Sequence, residues 1–172
     1  MGIAAITMSF AAYTSAMLFR AGSAPDWQHF RLPPILYVNT LVLVASSGTL
    51  ELARARRVGE SGAVSPTAVR WLTATLVLGV LFLVGQVLAW RELVAQGLFL
   101  ATSPSSAFFY VFTGLHAVHL LGGLFAMAYV VRRVRAEGDA PAPLGALSAA
   151  SLYWHFMDAL WVYLLLILTI RV

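Results

Sequence analysis

The chain has 172 residues, 60% of them hydrophobic and 10% charged, with a mean hydropathy of +0.84 and a formal net charge of +4. So much apolar surface has nowhere polar to face in a soluble domain, so the composition points to an integral membrane protein. Cysteine is absent and arginine supplies every cation apart from histidine, which excludes disulfides, thiolate metal sites, thiol nucleophiles, Schiff-base chemistry and a Walker-type phosphate loop.

Five apolar stretches are long enough to cross the hydrocarbon core, which takes about 20 helical residues. They lie near residues 2–19, 34–53, 69–90, 105–131 and 147–170. The predicted fold class is therefore all-α: a polytopic bundle of five transmembrane helices forming one membrane domain over residues 1–172. The first stretch has no basic leader, and its end, Met17-Leu18-Phe19-Arg20, lacks a small-residue cleavage pattern, so it reads as a span and not a signal peptide. Breakers separate the spans: Gly22, Pro25 and Pro33-Pro34 in the first loop, Gly59, Gly62 and Pro66 in the second, Pro141 and Pro143 after Gly138 in the last.

Arginine placement orients the bundle. Arg54, Arg56, Arg57, Arg70, Arg132, Arg133 and Arg135 share the side of the N-terminus, against Arg20, Arg31, Arg91 and Arg171 on the other. The positive-inside rule then predicts a cytoplasmic N-terminus and an exoplasmic C-terminus. Because these arginines sit at span ends and in loops, and not on one face, no nucleic-acid partner is expected.

Polar residues inside the spans carry the chemistry. In the second span Asn39, Thr40, Ser46 and Ser47, and in the third Gln86, suit hydrogen bonding between helices. Trp27, Tyr37, Trp71 and Trp90 fall near span ends, where amphipathic rings favour the interface. The fourth span carries His116 and His119, three apart and so about 60° from each other around the helix. Imidazole is a common metal ligand and titrates near neutrality, so a ligand pair or proton relay is one reading. The other is hydrogen bonding within the bundle, since His-x-x-His offers only two ligands. Gly114, Gly122 and Gly123 flank the pair and suit close approach of a neighbouring helix.

The fifth span carries Tyr153-Trp154-His155-Phe156-Met157-Asp158, followed by Ala159-Leu160-Trp161. An acid and an imidazole on one helix inside a bilayer are costly and demand partners. A polar network of His116, His119, His155 and Asp158 is the expectation. Trp154 and Trp161, seven apart, share a face suited to a partner or to lipid.

Two of these segments together resemble the signature pair of subunit III of the haem-copper oxygen reductases. They are the run from Thr113-Gly114-Leu115-His116 to Leu121-Gly122-Gly123 and the run from Tyr153-Trp154-His155 to Leu160-Trp161. Leu32-Pro33-Pro34, Asn39-Thr40 and Ser46-Ser47-Gly48-Thr49, with Gln86, Trp90 and Leu93, extend the resemblance over essentially the whole chain. The resemblance implies a cytochrome c oxidase subunit III that serves a proton-pumping terminal oxidase in aerobic respiration. Catalytic residues and metal or other cofactors would be absent from this chain, with haem and copper held by the partner subunits I and II. It further implies that the chain stabilises subunit I, supports proton uptake and binds phospholipid. Tyr153, Trp154, Trp161, Arg132 and Arg133 are the expected lipid or subunit contacts.

The sequence also departs from the family. The full-length form has seven spans around a V-shaped lipid cleft, and five are present here. A first-span carboxylate expected just before Met8 and Phe10 is missing, with Ile6 in its register, and Ser148 replaces an acid that often opens the last helix. A start at Met1-Gly2 fits a five-span bacterial form of the cytoplasmic membrane. The run from Leu32-Pro33-Pro34 to Glu51-Leu52-Ala53-Arg54 looks closer to cytochrome c oxidases than to quinol oxidases, and a supercomplex with a quinol:cytochrome c reductase such as alternative complex III is a further implied partner. From a different class, a small cytochrome b would ligate haem through His116, His119 and His155. A transporter using Asp158 would need broken helices and repeats, which the sequence lacks.

Overall fold

The computed structural model describes residues 2–23, 25–56, 65–137 and 144–172. Arg57, Gly59, Gly62, Gly138, Pro141 and Pro143 lie outside them. Five helices follow in order: α1 Gly2–Ser23, α2 Ile35–Ala55, α3 Pro66–Ala95, α4 Pro104–Glu137 and α5 Leu144–Arg171. Of the described residues 86% are helical, and none forms a strand. Each helix is long and apolar enough to cross a membrane.

Local chemistry sets the helix ends. α2 begins directly after Pro33-Pro34, whose carbonyls accept from the N–H groups of Leu36 and Tyr37 at 3.1 Å each, so the prolines stand where no N–H is needed. Ser65 caps α3, accepting from the Ala68 N–H at 3.1 Å, with Pro66 as the first helical residue. Gly97, at φ +79°, ends the same helix: the N–H groups of Leu98 and Gly97 return to the carbonyls of Leu93 and Val94 at 3.0 Å each. That is the Schellman arrangement, and it requires the left-handed conformation glycine adopts freely. α3 consequently runs past the apolar stretch read from the sequence, to Ala95. Hydropathy marks what lies in hydrocarbon, whereas the helix continues to its stop signal.

α2 and α3 form the most closely packed pair, α4 and α5 a second, and the pairs meet through α3 against α4 and α2 against α5. α1 touches only α4 and α5. It stacks Phe10 on Phe112, ring centroids 6.3 Å apart, and its Thr14 Oγ1 accepts from the Tyr163 hydroxyl at 3.1 Å. The first loop laces one end of the bundle together: Trp27 Nε1 donates to the Arg171 carbonyl at 2.9 Å, the Phe30 N–H to Val172 at 2.8 Å, and Ser105 Oγ to the Gln28 carbonyl at 2.6 Å.

Two glycines allow the central contacts. A Cβ on Gly79 would meet Trp154 at 2.7 Å and Leu124 at 2.8 Å, and one on Gly85 would overlap the Asn39 amide, whose Nδ2 donates to the Phe82 carbonyl at 3.0 Å. Gly85→Ala and Gly79→Ala are therefore expected to destabilise the bundle by about 1–3 kcal/mol each through overpacking. A Cβ on Gly114 meets nothing within 4 Å, so Gly114→Ala is the neutral control. Thermal unfolding in detergent checks the set; an unchanged midpoint for Gly85→Ala would contradict the packing.

Candidate functional site

The polar residues of α2 and α5 meet along one seam. On α2, Ser47, Glu51 and Arg54 are spaced four and three apart, which stacks them on one face. On α5, His155 and Asp158 are three apart and turn toward that face. Ser47 Oγ donates to Asp158 Oδ2 and lies 3.0 Å from His155 Nδ1. A serine has one proton to give; once it goes to the carboxylate, the remaining lone pair accepts Nδ1–H of His155. His155 Nε2 lies 2.6 Å from Glu51 Oε1, which also takes Arg54 Nη1 at 2.7 Å. The result is a continuous line, Arg54, Glu51, His155, Ser47, Asp158. It runs from half-exposed groups near the end of α2 to an acid that is only 8% exposed and whose second oxygen, Oδ1, has no partner.

A second set of bonds runs beside it. Trp154 Nε1 donates to Ser46 Oγ at 3.0 Å, and Trp161 Nε1 to Thr40 Oγ1 at 3.0 Å. Both indoles are fully buried in this chain, so neither is the lipid or subunit contact expected of it: each N–H needs an acceptor, and α2 supplies a hydroxyl. Tyr153, half-buried, donates its hydroxyl to the His119 carbonyl at 2.8 Å and lies 3.0 Å from where a Cβ on Gly123 would stand. Arg132 and Arg133 are exposed near the end of α4.

The expected four-residue network is split. His116 is completely buried, with neither ring nitrogen bonded among the described residues, 5.0 Å from Trp161 and 5.8 Å from Phe82 between ring centroids. His119 donates Nδ1–H to the Leu115 carbonyl of its own helix at 2.7 Å. Neither bonds to His155 or Asp158, because both lie on α4 while the acid and imidazole of α5 turn to α2. Among the glycines, Gly123 seats a neighbour, Gly122 has only the Tyr153 hydroxyl at 4.0 Å, and Gly114 faces open space. Asn39 bonds across to α3 as expected. Gln86 does not: its amide is buried with both polar atoms unpaired, at the floor of a groove of about 490 Å³ that Gly114 opens. Gly79, Gly85 and the part played by Glu51 escaped the sequence reading, although the Ser47, Glu51, Arg54 spacing was a usable signal.

Among the described residues no three His, Asp or Glu side chains gather where they could hold a metal ion. A bis-histidine haem site does not fit either. Both nitrogens of His155 are engaged by α2, and aromatic rings close on His116.

Ser47→Ala removes the shared hydroxyl, leaving Asp158 without the one hydrogen bond it has among the described residues and His155 Nδ1 unbonded. A loss of about 1–3 kcal/mol is expected. In a double-mutant cycle with Asp158→Asn, the coupling should exceed about 0.5 kcal/mol, read from chemical denaturation in detergent. Additive effects would mean that the seam does not act as a unit.

The chain matches the family model described as cytochrome c oxidase subunit III over residues 7–171. It is 34% identical to cytochrome c oxidase subunit 3 of Corynebacterium diphtheriae over 141 residues, covering 82% of this chain and 67% of that one. It is 35% identical over 158 residues to the probable cytochrome c oxidase subunit 3 of Mycobacterium leprae, covering 90% and 75%. It is also 29% identical over 154 residues to the cytochrome bo(3) ubiquinol oxidase subunit 3 of Pseudomonas aeruginosa, covering 89% and 71%. With five membrane-crossing helices and a family match over nearly its whole length, the chain belongs to the cytochrome c oxidase subunit III family and is a multi-pass membrane subunit of a haem-copper oxidase.

Proposed function

We propose that this chain is a non-catalytic subunit of a proton-pumping cytochrome c oxidase, stabilising the haem-copper subunit I alongside subunit II. The observation that carries this is where its reactive side chains go. His155, Asp158, Ser47 and both central tryptophans are engaged in hydrogen bonds that hold α2 against α5. Haem and copper then belong to the partner subunits, and this chain holds no redox group of its own.

Support of proton uptake draws on the same seam. Glu51, His155 and Asp158 can each carry a proton, and Ser47 joins the last two. Phospholipid binding draws on the arginine-rich end of the bundle, with Arg132 and Arg133 at headgroup level. Arginine asymmetry supports a cytoplasmic N-terminus in a bacterial inner membrane. The Corynebacterium and Mycobacterium relatives favour cytochrome c as donor, whereas the Pseudomonas relative carries the competing quinol reading. A cytochrome c donor makes a quinol:cytochrome c reductase, such as alternative complex III, a suitable supercomplex partner.

Deleting the chain tests the proposal. The oxidase should keep its haem spectrum and its initial rate with reduced cytochrome c while losing activity faster during sustained turnover. Loss of haem on deletion, or unchanged endurance, would contradict it.

A further inference from the structure

Gly114 differs from the glycines that this bundle uses internally. Cβ atoms on Gly79 and Gly85 would strike neighbouring side chains, but one on Gly114 meets nothing within 4 Å. The space it leaves is therefore not filled by its own chain. It opens a groove of about 490 Å³ between α3 and α4, walled by Val87, Ala117, Val118 and Leu121, with Gln86 at its floor. Gln86 is 1% exposed, and neither polar atom of its amide has a hydrogen-bond partner among the described residues. His116 on α4 is likewise unpaired there, but it packs on the rings of Phe82 and Trp161.

Depth along the helix decides what fits. α3 has 30 residues. At 1.5 Å per residue that is about 45 Å, against about 30 Å of hydrocarbon, so about 7 Å projects at each end. Gln86 stands about 14 Å from the Ala95 end, which places it inside the hydrocarbon. An acyl chain lying in the groove would leave the amide N–H donors and carbonyl oxygen unpaired, a cost that membrane interiors avoid. A helix can meet both demands of the groove: a small residue lets its backbone approach closely, and a polar side chain bonds across the contact.

We infer that this groove seats a transmembrane helix of a neighbouring subunit, which lays a small residue against Gly114 and offers Gln86 a hydroxyl or amide side chain. The terminal torsion of a glutamine is soft and no hydrogen bond among the described residues holds this one, so the amide turns to its new partner at little cost. The exposed side chains of Val87, Val118 and Leu121 supply the apolar rim of the contact. The inference deepens the reading of this chain as an oxidase subunit by naming a face through which it is held, and it rests on that reading for the partner.

Two measurements on the same variants separate docking from folding. In the isolated chain, Gly114→Leu and Gln86→Leu should leave the thermal unfolding midpoint in detergent unchanged or raise it, since one fills open space and the other removes an unpaired amide. In the intact complex the same changes should lower the amount of this chain retained through a detergent wash, by about threefold or more for Gln86→Leu and further for Gly114→Leu, which blocks the groove. A photo-crosslinking benzoylphenylalanine in place of Val118 should join this chain to a membrane-spanning peptide of another subunit, identified by mass spectrometry, with the optical spectrum recorded on the same sample. Lowered midpoints in the isolated chain would return Gln86 and Gly114 to the internal packing and overturn the inference. Unchanged retention, or a crosslink to lipid or quinone alone, would overturn it too. A crosslinked helix from a complex without haem would overturn the oxidase reading and leave the docking face standing.

Discussion

The hydroxyl of Ser47 lies between the two groups this membrane helix bundle could least leave unpaired. An acid and an imidazole at bilayer depth are costly unless each meets a hydrogen-bonding partner, and here one small side chain from the neighbouring helix serves both. That requirement fixes the facing surfaces of α2 and α5. Asp158 and His155 must point at Ser47, His155 then reaches Glu51, and Trp154 and Trp161 are carried onto the same side, where Ser46 and Thr40 accept their indole protons. Rising residue numbers on α2 meet falling numbers on α5, so the seam also sets the antiparallel register of the two helices.

The remaining packing adapts to this seam. Trp154, held by Ser46, occupies space that only a glycine at position 79 leaves open, and Trp161 lies edge-on to Phe82 at 4.8 Å. Phe82 in turn accepts the Asn39 amide through its backbone carbonyl, in the gap beside Gly85. A polar seam, two indoles and two glycines thus connect α2, α3 and α5 into one core. Hydrophobicity alone could not select such an arrangement, because lipid is as apolar as the helix faces and hydrogen bonds and close packing must decide. α1, which joins none of these bonds, rests on the outside of α4 and α5.

Much of this was legible in the sequence, and what was missed has a physical pattern. The five spans followed from hydropathy, and the demand of Asp158 and His155 for partners followed from their depth. Which partners they found did not follow. Residues three or four apart declare a shared face, but nothing in a one-dimensional pattern says which helix that face will meet. The pattern therefore groups His116 and His119 with His155 and Asp158, which turn to α2 instead, and suits Trp154 and Trp161 to a partner or to lipid, whereas both are buried within the bundle. Glu51 was overlooked because it stands near a span end, where a charged residue needs no explanation. Gly79 and Gly85 were overlooked because their purpose appears only when another helix's side chain fills the space. Gln86 is the converse case, a polar residue expected to bond between helices that finds no partner among the described residues.

His155 and Asp158 join α5 to α2, and the redox chemistry is assigned to the partner subunits. Isolating the chain in mild detergent, identifying its companions and recording optical spectra before and after separating them tests that claim most directly. Companions that carry A-type haem and copper are expected, with no Soret band in the separated chain. A Soret band that stays with this chain alone would contradict that assignment.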